Sequence, residues 1–238
     1  MSAPIAGLVL DLDGTIHDHD GAAAAGLAQW LGEHRIAPSA ELAREWRRVE
    51  HEWFARWERG ELGFAAMRRG RIREYLPLLG LPAPVDDAAA DAEFDRYLDA
   101  YRRHWRPYPD VPAFVDGVRA LGVPTAVLSN GTDATQRAKL DAIGVGDRLG
   151  PLITAESAGA PKPDPRTYAA ACAALDLPPE LVLHVGDRHD LDVVAARANG
   201  MRAVHLDRAG TGPEPDAAGS LLDVLPLLAA GREGAPVA

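Results

Sequence analysis

Three short apolar runs, at residues 5–12, 123–128 and 181–185, are rich in Val, Leu and Ile and lack the strict alternation of a half-exposed strand. A strand covered on both faces by helices has no polar face to write into the sequence, so such runs predict the buried strands of a parallel sheet. Residues 203–206 read as a weaker strand and 152–154 as a short one. Between them, apolar positions recur at helical spacing over 112–121, 133–143, 165–175 and 190–199, the last stopped by Gly200. The alternation predicts an α/β fold with a doubly wound parallel sheet.

Residues 17–107 break this rhythm. They contain no convincing strand and a long succession of Arg, Glu, Leu and Trp at helical spacing, which predicts an inserted, all-helical domain between two pieces of an α/β core, 1–16 and 108–238. Trp46, Trp53 and Trp57 follow one another at intervals of seven and four, near one helix face. A seam of the inserted domain's own core is the preferred reading over a substrate-facing aromatic wall. The segments joining the insertion to the core, near 16–21 and 103–110, are rich in His, Asp, Gly and Pro and read as hinges. His17, Asp18, His19 and Asp20 could also suggest a transition-metal site, but they are taken as hinge residues. The last eight residues, 231–238, are expected to fray.

Composition narrows the function. With 47% hydrophobic residues among 238, the chain can bury a sizeable core, and no apolar run approaches the roughly 20 residues that span a bilayer. The start lacks the pattern of a signal peptide, so a cytoplasmic location is expected. The formal charge of -10 opposes binding to nucleic acid or an anionic membrane. The single cysteine, Cys172, allows no internal disulfide and sits in an Ala-rich stretch that predicts a buried helical position. Only two lysines, Lys139 and Lys162, stand against 23 arginines, so a lysine here invites a specific explanation.

Ligands of an open parallel sheet bind at the carboxyl ends of its strands, and there the polar residues collect. The first strand ends in Asp11, Asp13, Gly14 and Thr15, the second in Ser129, Asn130 and Gly131, and the third in Gly186 and Asp187, followed by Asp190 and Asp192. Taken singly, each has an ordinary role in turns or helix caps. Together they crowd carboxylates at one edge, which is costly without a cation between them. Magnesium, a hard ion held by carboxylates, water and phosphate oxygens, fits that need, with Asp11 and Asp187 as its obvious carboxylate ligands. Lys162, between prolines that restrict its backbone, adds a compact positive charge.

The runs LVLDLDGT (8–15), LSNG (128–131), KPDP (162–165) and VGDRHDLD (185–192) resemble the four ordered motifs of the haloacid dehalogenase superfamily. The position of the insertion, directly after the first motif, is similar to the branch with a helical C1 cap on a Rossmann-like core. The resemblance implies a phosphatase in which Asp11 forms an aspartyl phosphate and Asp13 acts as general acid and base. It also implies that the Asp13 carbonyl, Asp11 and Asp187 bind Mg2+, and that Ser129, Asn130 and Lys162 hold the phosphoryl group. Asp192 is implied to support the metal site from behind. Protonation of Asp13 at the first step is expected to be favoured by a crowded anionic site. Leu191 departs from the polar residue often found at its position.

The expected partner is a small phosphorylated metabolite, and the expected assembly a monomer or homodimer. Three other readings stay open. A haloacid dehalogenase would use the same nucleophile on carbon, but that branch needs neither a second carboxylate acid nor a metal, so Asp13 speaks against it. A phosphomutase and a catalytically silent binding protein are the remaining two.

Overall fold

The computed structural model describes residues 4–230; the tail expected to fray, 231–238, lies outside the described residues. The apolar runs become β1 (Gly7–Leu10), β2 (Thr125–Ser129) and β4 (Val182–Gly186), and every residue in these three strands is buried. With β3 (Leu152–Thr154) and β5 (Arg202–His205) they form a five-stranded parallel sheet in the order β3-β2-β1-β4-β5. Leu8 lies opposite Thr125 on one side and Leu183 on the other. β2 begins later than the apolar run because Pro124 has no N–H for the ladder, although its carbonyl still accepts from the Leu8 N–H at 2.9 Å.

Alternate residues of β1 feed two apolar clusters. Leu8 and Leu10 join Phe114, Val127 and Val185, whereas Val9 joins Ala126, Leu128 and Tyr168. Cys172 belongs to the second cluster, and burial pushes its thiol above the usual range. The α-helices that precede β4, in chain order, are α1 (His19–Glu33), α2 (Ala40–Glu58), α3 (Phe64–Leu78), α4 (Asp87–Arg102), α5 (Val111–Leu121), α6 (Asp133–Ala142), α7 (Ala155–Ala158) and α8 (Pro165–Ala174). Among the described residues, none is long and apolar enough to cross a membrane.

The helix expected over 190–199 departs from its pattern. A π-helical turn, His189–Ala195, precedes a short α-helical turn, Ala196–Ala198. The Asp192 carboxylate accepts the Arg188 N–H at 2.9 Å, which satisfies a donor at the start of the element that has no acceptor within it.

Contacts along the chain divide it into an α/β unit, residues up to Asp18 and from Arg106 onward, and a helical unit, His19–Trp105. In the α/β unit the two crossing segments pair in antiparallel fashion. The Asp18 N–H donates to the Arg106 carbonyl at 3.0 Å, Tyr108 N–H to the Ile16 carbonyl at 3.3 Å, and the Arg106 guanidinium pairs with Asp18 at 2.7 Å.

In the helical unit the aromatic core is Trp30, Trp46, Tyr75 and Tyr97, with Trp46 Nε1 donating to the Tyr97 hydroxyl at 3.1 Å. Trp46 therefore lies in the unit's own core. Trp53 is half-buried and donates to Glu74 at 2.8 Å, while Trp57 packs on Phe54 and Phe64. α1 and α4 approach closely at Gly26, where a Cβ would meet the Tyr101 backbone at 2.6 Å. Gly26→Ala is therefore expected to destabilise the fold by about 2 kcal/mol in urea titration. Gly32→Ala in the same helix meets open space and is expected to be neutral or to stabilise by about 0.5 kcal/mol.

Candidate active site

Three strand ends converge on one constellation. Asp11 follows β1, Ser129 closes β2 and Asp187 follows β4, so sheet register alone brings these distant residues together. Lys162 arrives from the loop before α8 and is 2% exposed. Its ammonium donates to Asp11 Oδ1 and Asp192 Oδ1, both at 2.6 Å. Asn130 fixes that loop: its Oδ1 accepts the Lys162 N–H at 2.7 Å and its Nδ2 donates to the Lys162 carbonyl at 3.1 Å. The Asn130 side chain is thus engaged with the lysine's backbone, a link that the sequence does not announce.

Asp192 is the second anchor of the ammonium. Its Oδ1 also meets His184 Nε2 at 3.1 Å, and this ring's Nδ1 lies 3.2 Å from the Val9 carbonyl. Burial opposes charge on Asp192, yet Lys162 and His184 outweigh it and hold the carboxyl below its usual range. Burial also works against the Lys162 ammonium, but Asp11 and Asp192 hold it above its usual range. Asp11 comes out the other way: burial, with Asp192 and Asp187 nearby, raises it well above the ordinary value despite Lys162. One ammonium does not neutralise three carboxylates.

Oxygens of Asp11, Asp187 and Asp192 lie within 4.8 Å of one another. Two glycines make this packing possible, because a Cβ at Gly14 would overlap the Asp187 carboxylate and one at Gly186 would overlap that of Asp192. Thr15 Oγ1 donates to Asp187 Oδ1 at 3.3 Å, and His205 Nε2 meets the Asp187 carbonyl at 3.0 Å. Burial first, and then the Asp192 charge, pushes Asp187 up to about 7. This buried, hard-oxygen set with unbalanced negative charge fits a divalent cation.

That raised value gives a linked prediction. The folded state keeps a proton on Asp187 that the unfolded chain releases near 3.8, so this group's contribution to stability is greatest at low pH and is lost as pH rises toward 7. The metal-free protein is expected to melt at progressively lower temperature from pH 5 to about pH 7 and to level off above it. A divalent cation held by Asp187 would displace the same proton, so its apparent affinity would rise up to about tenfold per pH unit below 7 and then level off. Calorimetric melting with and without Mg2+ across this range checks both trends; a stabilisation by Mg2+ that is equal at pH 5.5 and pH 8 excludes Asp187 as the ligand that titrates.

Asp13 has surroundings that sequence reasoning missed. Its Oδ1 accepts from Lys139 Nζ at 2.7 Å and faces His17 Nδ1 at 2.7 Å. Its Oδ2 accepts from Lys139 at 2.6 Å and from Gln136 Nε2 at 3.1 Å. The same Gln136 nitrogen donates to Ser129 Oγ at 2.6 Å and to the Asn130 carbonyl at 3.2 Å. Donors from α6 and from His17 thus meet the Asp13 carboxylate, beside the crowded anionic setting expected for it. Lys139 carried a signal in the sequence, as one of two lysines among so many arginines. Leu191, the departure noted within the fourth motif, is buried, and its carbonyl accepts the Tyr168 hydroxyl at 2.7 Å.

The sequence model of haloacid dehalogenase-like hydrolases matches residues 5–200. The chain belongs to this family. Among similar hydrolases, the phosphoserine phosphatase of Thermus thermophilus is 36% identical over 120 residues, which is 50% of this chain and 48% of that protein. The (S)-2-haloacid dehalogenase 1 of Pseudomonas sp. (strain CBS-3) is 30% identical over 210 residues, covering 86% of each. A HAD-hydrolase from Bacillus subtilis solved with bound magnesium superposes with a TM-score of 0.80 over 96% of this chain and 99% of its own, at 15% identity, a likeness in fold. Both phosphatases and dehalogenases thus stand among the relatives of this hydrolase.

Proposed function

We propose that this hydrolase is a magnesium-dependent phosphatase for a small phosphate monoester, with Asp11 as nucleophile and Asp13 as general acid and base. The observation that carries the reading is the third carboxylate. Asp187, packed against Asp11 and Asp192 and pushed up to about 7, is costly to ionise there, and a divalent cation would offset that cost. Displacement of halide from carbon has no use for such an ion. Asp11, Asp187 and the Asp13 carbonyl are the groups that would hold it, and when bound it supplies positive charge to the phosphoryl oxygens.

In the first step an Asp11 oxygen bonds to phosphorus, and the bond to the leaving oxygen breaks with its electron pair on that oxygen, which takes a proton from Asp13. In the second, water attacks phosphorus and passes a proton to Asp13, and the Asp11 carboxylate is released. Ser129 already accepts from Gln136, so its own hydroxyl proton is available for a phosphoryl oxygen, with Lys162 supplying charge beside the nucleophile. The helical insertion over 17–107 is read as the cap domain that selects the ester.

A second reading, a 2-haloacid dehalogenase, is favoured by the 30% identity to the Pseudomonas enzyme over 86% of both chains. Phosphate release from 4-nitrophenyl phosphate, dependent on Mg2+ and stopped by a chelator, is the expected outcome. Chloride release from (S)-2-chloropropionate without metal, and no phosphate release, exchanges the first reading for the second.

A further inference from the structure

Lys139 and Gln136 lie three residues apart on α6, on one helix face, and both are buried: Lys139 is 6% exposed and Gln136 1%. Neither belongs to the residues that would touch phosphorus. Placing a lysine stem there costs desolvation, and the chain elsewhere writes arginine for a solvated cation. The ammonium donates to both oxygens of Asp13. Gln136 ties the same carboxylate to Ser129, and His17 closes the other side. Two donors held by a helix, with a third from the loop, fix one orientation of the Asp13 side chain.

We propose that Lys139, with Gln136, is a positioning residue for Asp13, holding the carboxylate in the orientation from which it takes the proton of the attacking water. The role rests on the phosphatase reading. In that step the water oxygen bonds to phosphorus, the phosphorus–oxygen bond to Asp11 breaks with its pair returning to the carboxylate, and the water's proton passes to Asp13. An Asp13 free to rotate spends less time within reach of the water, so breakdown of the aspartyl phosphate slows. Formation of the same intermediate from an ester whose leaving oxygen needs no proton is untouched.

Rapid mixing of the full-length protein and Mg2+ with 2,4-dinitrophenyl phosphate separates the two steps, because dinitrophenolate leaves without an acid. Lys139→Met is expected to keep the first-turnover rate within about threefold of wild type and to lose roughly tenfold or more in the steady state, with a burst near one equivalent of dinitrophenolate. In the Asp13→Asn background, adding Lys139→Met is expected to change the steady state by less than about twofold, since the lysine acts through that carboxylate. Lys139→Gln, which keeps a donor, carries the same test if Lys139→Met does not fold, with a smaller loss of the same kind. Equal losses in both phases, no loss, or effects of Lys139→Met and Asp13→Asn that multiply overturn the positioning role alone. A wild-type protein that releases no dinitrophenolate overturns the phosphatase reading and the positioning role with it.

Discussion

Asp11→Asn is expected to lower phosphatase turnover by on the order of 10⁴-fold or more while leaving the protein folded. The reasoning begins with charge. The substituted amide has no anionic oxygen to form the acyl phosphate bond, so the route through a covalent intermediate is closed. Structurally the change is mild, because an amide oxygen can still accept the Lys162 ammonium that now lies 2.6 Å from Asp11 Oδ1. It also removes one of three crowded carboxylates, where burial first and then the charges of Asp192 and Asp187 raise Asp11 well above its ordinary value. Melting temperature is therefore expected to hold or to rise while turnover collapses. Steady-state kinetics on 4-nitrophenyl phosphate and thermal melts of the same preparation test the pair of outcomes. Activity near wild type in a folded Asp11→Asn protein sinks the nucleophile assignment. Because a dehalogenase would depend on the same aspartate, this variant identifies the nucleophile and leaves the substrate class to the paired phosphate and chloride assay.

The parts legible in the sequence are those written locally. Residues of β1, β2 and β4 are buried on both faces, so their apolar runs could be read without partners, and the polar residues that end them fall at the sheet edge by topology. Asp11, Asp187 and Ser129 are candidates for that reason, and Lys162 is one as a proline-flanked loop lysine in a chain that favours arginine. What was not legible depends on side chains that meet across long separations. Asp13 and Lys139 are 126 residues apart, and no periodicity tells which carboxylate a buried lysine will find. The expectation of an anionic setting for Asp13 came from counting neighbouring carboxylates along the motifs, whereas the donors come from a helix the motifs do not include. Asn130 poses the same difficulty. Its position at a strand end suggests a ligand, and its amide also holds the main chain of a loop 32 residues onward, which no local pattern announces. The π-helical turn at His189–Ala195 is not legible because apolar spacing records which face is buried and does not fix the hydrogen-bond period of the backbone.

Lys162 carries the second large effect. Its ammonium is nearly fully buried, reaches Asp11 and Asp192 at equal 2.6 Å distances, and is aimed by a backbone that Asn130 grips at both the N–H and the carbonyl. Lys162→Arg keeps the charge but replaces a compact point donor by a longer, planar fork, which cannot fill the same place between two carboxylates whose positions are set by β1 and the turn after β4. Turnover is expected to fall about 10²-fold on every ester tested, since the charge beside the nucleophile serves the phosphoryl group and not the leaving group. Lys162→Met removes the cation altogether and leaves Asp11, Asp187 and Asp192 within 4.8 Å of one another without one. Breaking a buried pair in this way is expected to cost about 3 kcal/mol in urea titration of the metal-free protein. A divalent cation at the same cluster should offset part of that loss, so Mg2+ is expected to raise the melting temperature of Lys162→Met by more than it raises that of wild type. Wild-type kinetics in Lys162→Arg would return the lysine to a structural pair with Asp192, and an equal Mg2+ shift in both proteins would mean that ammonium and metal answer different carboxylates.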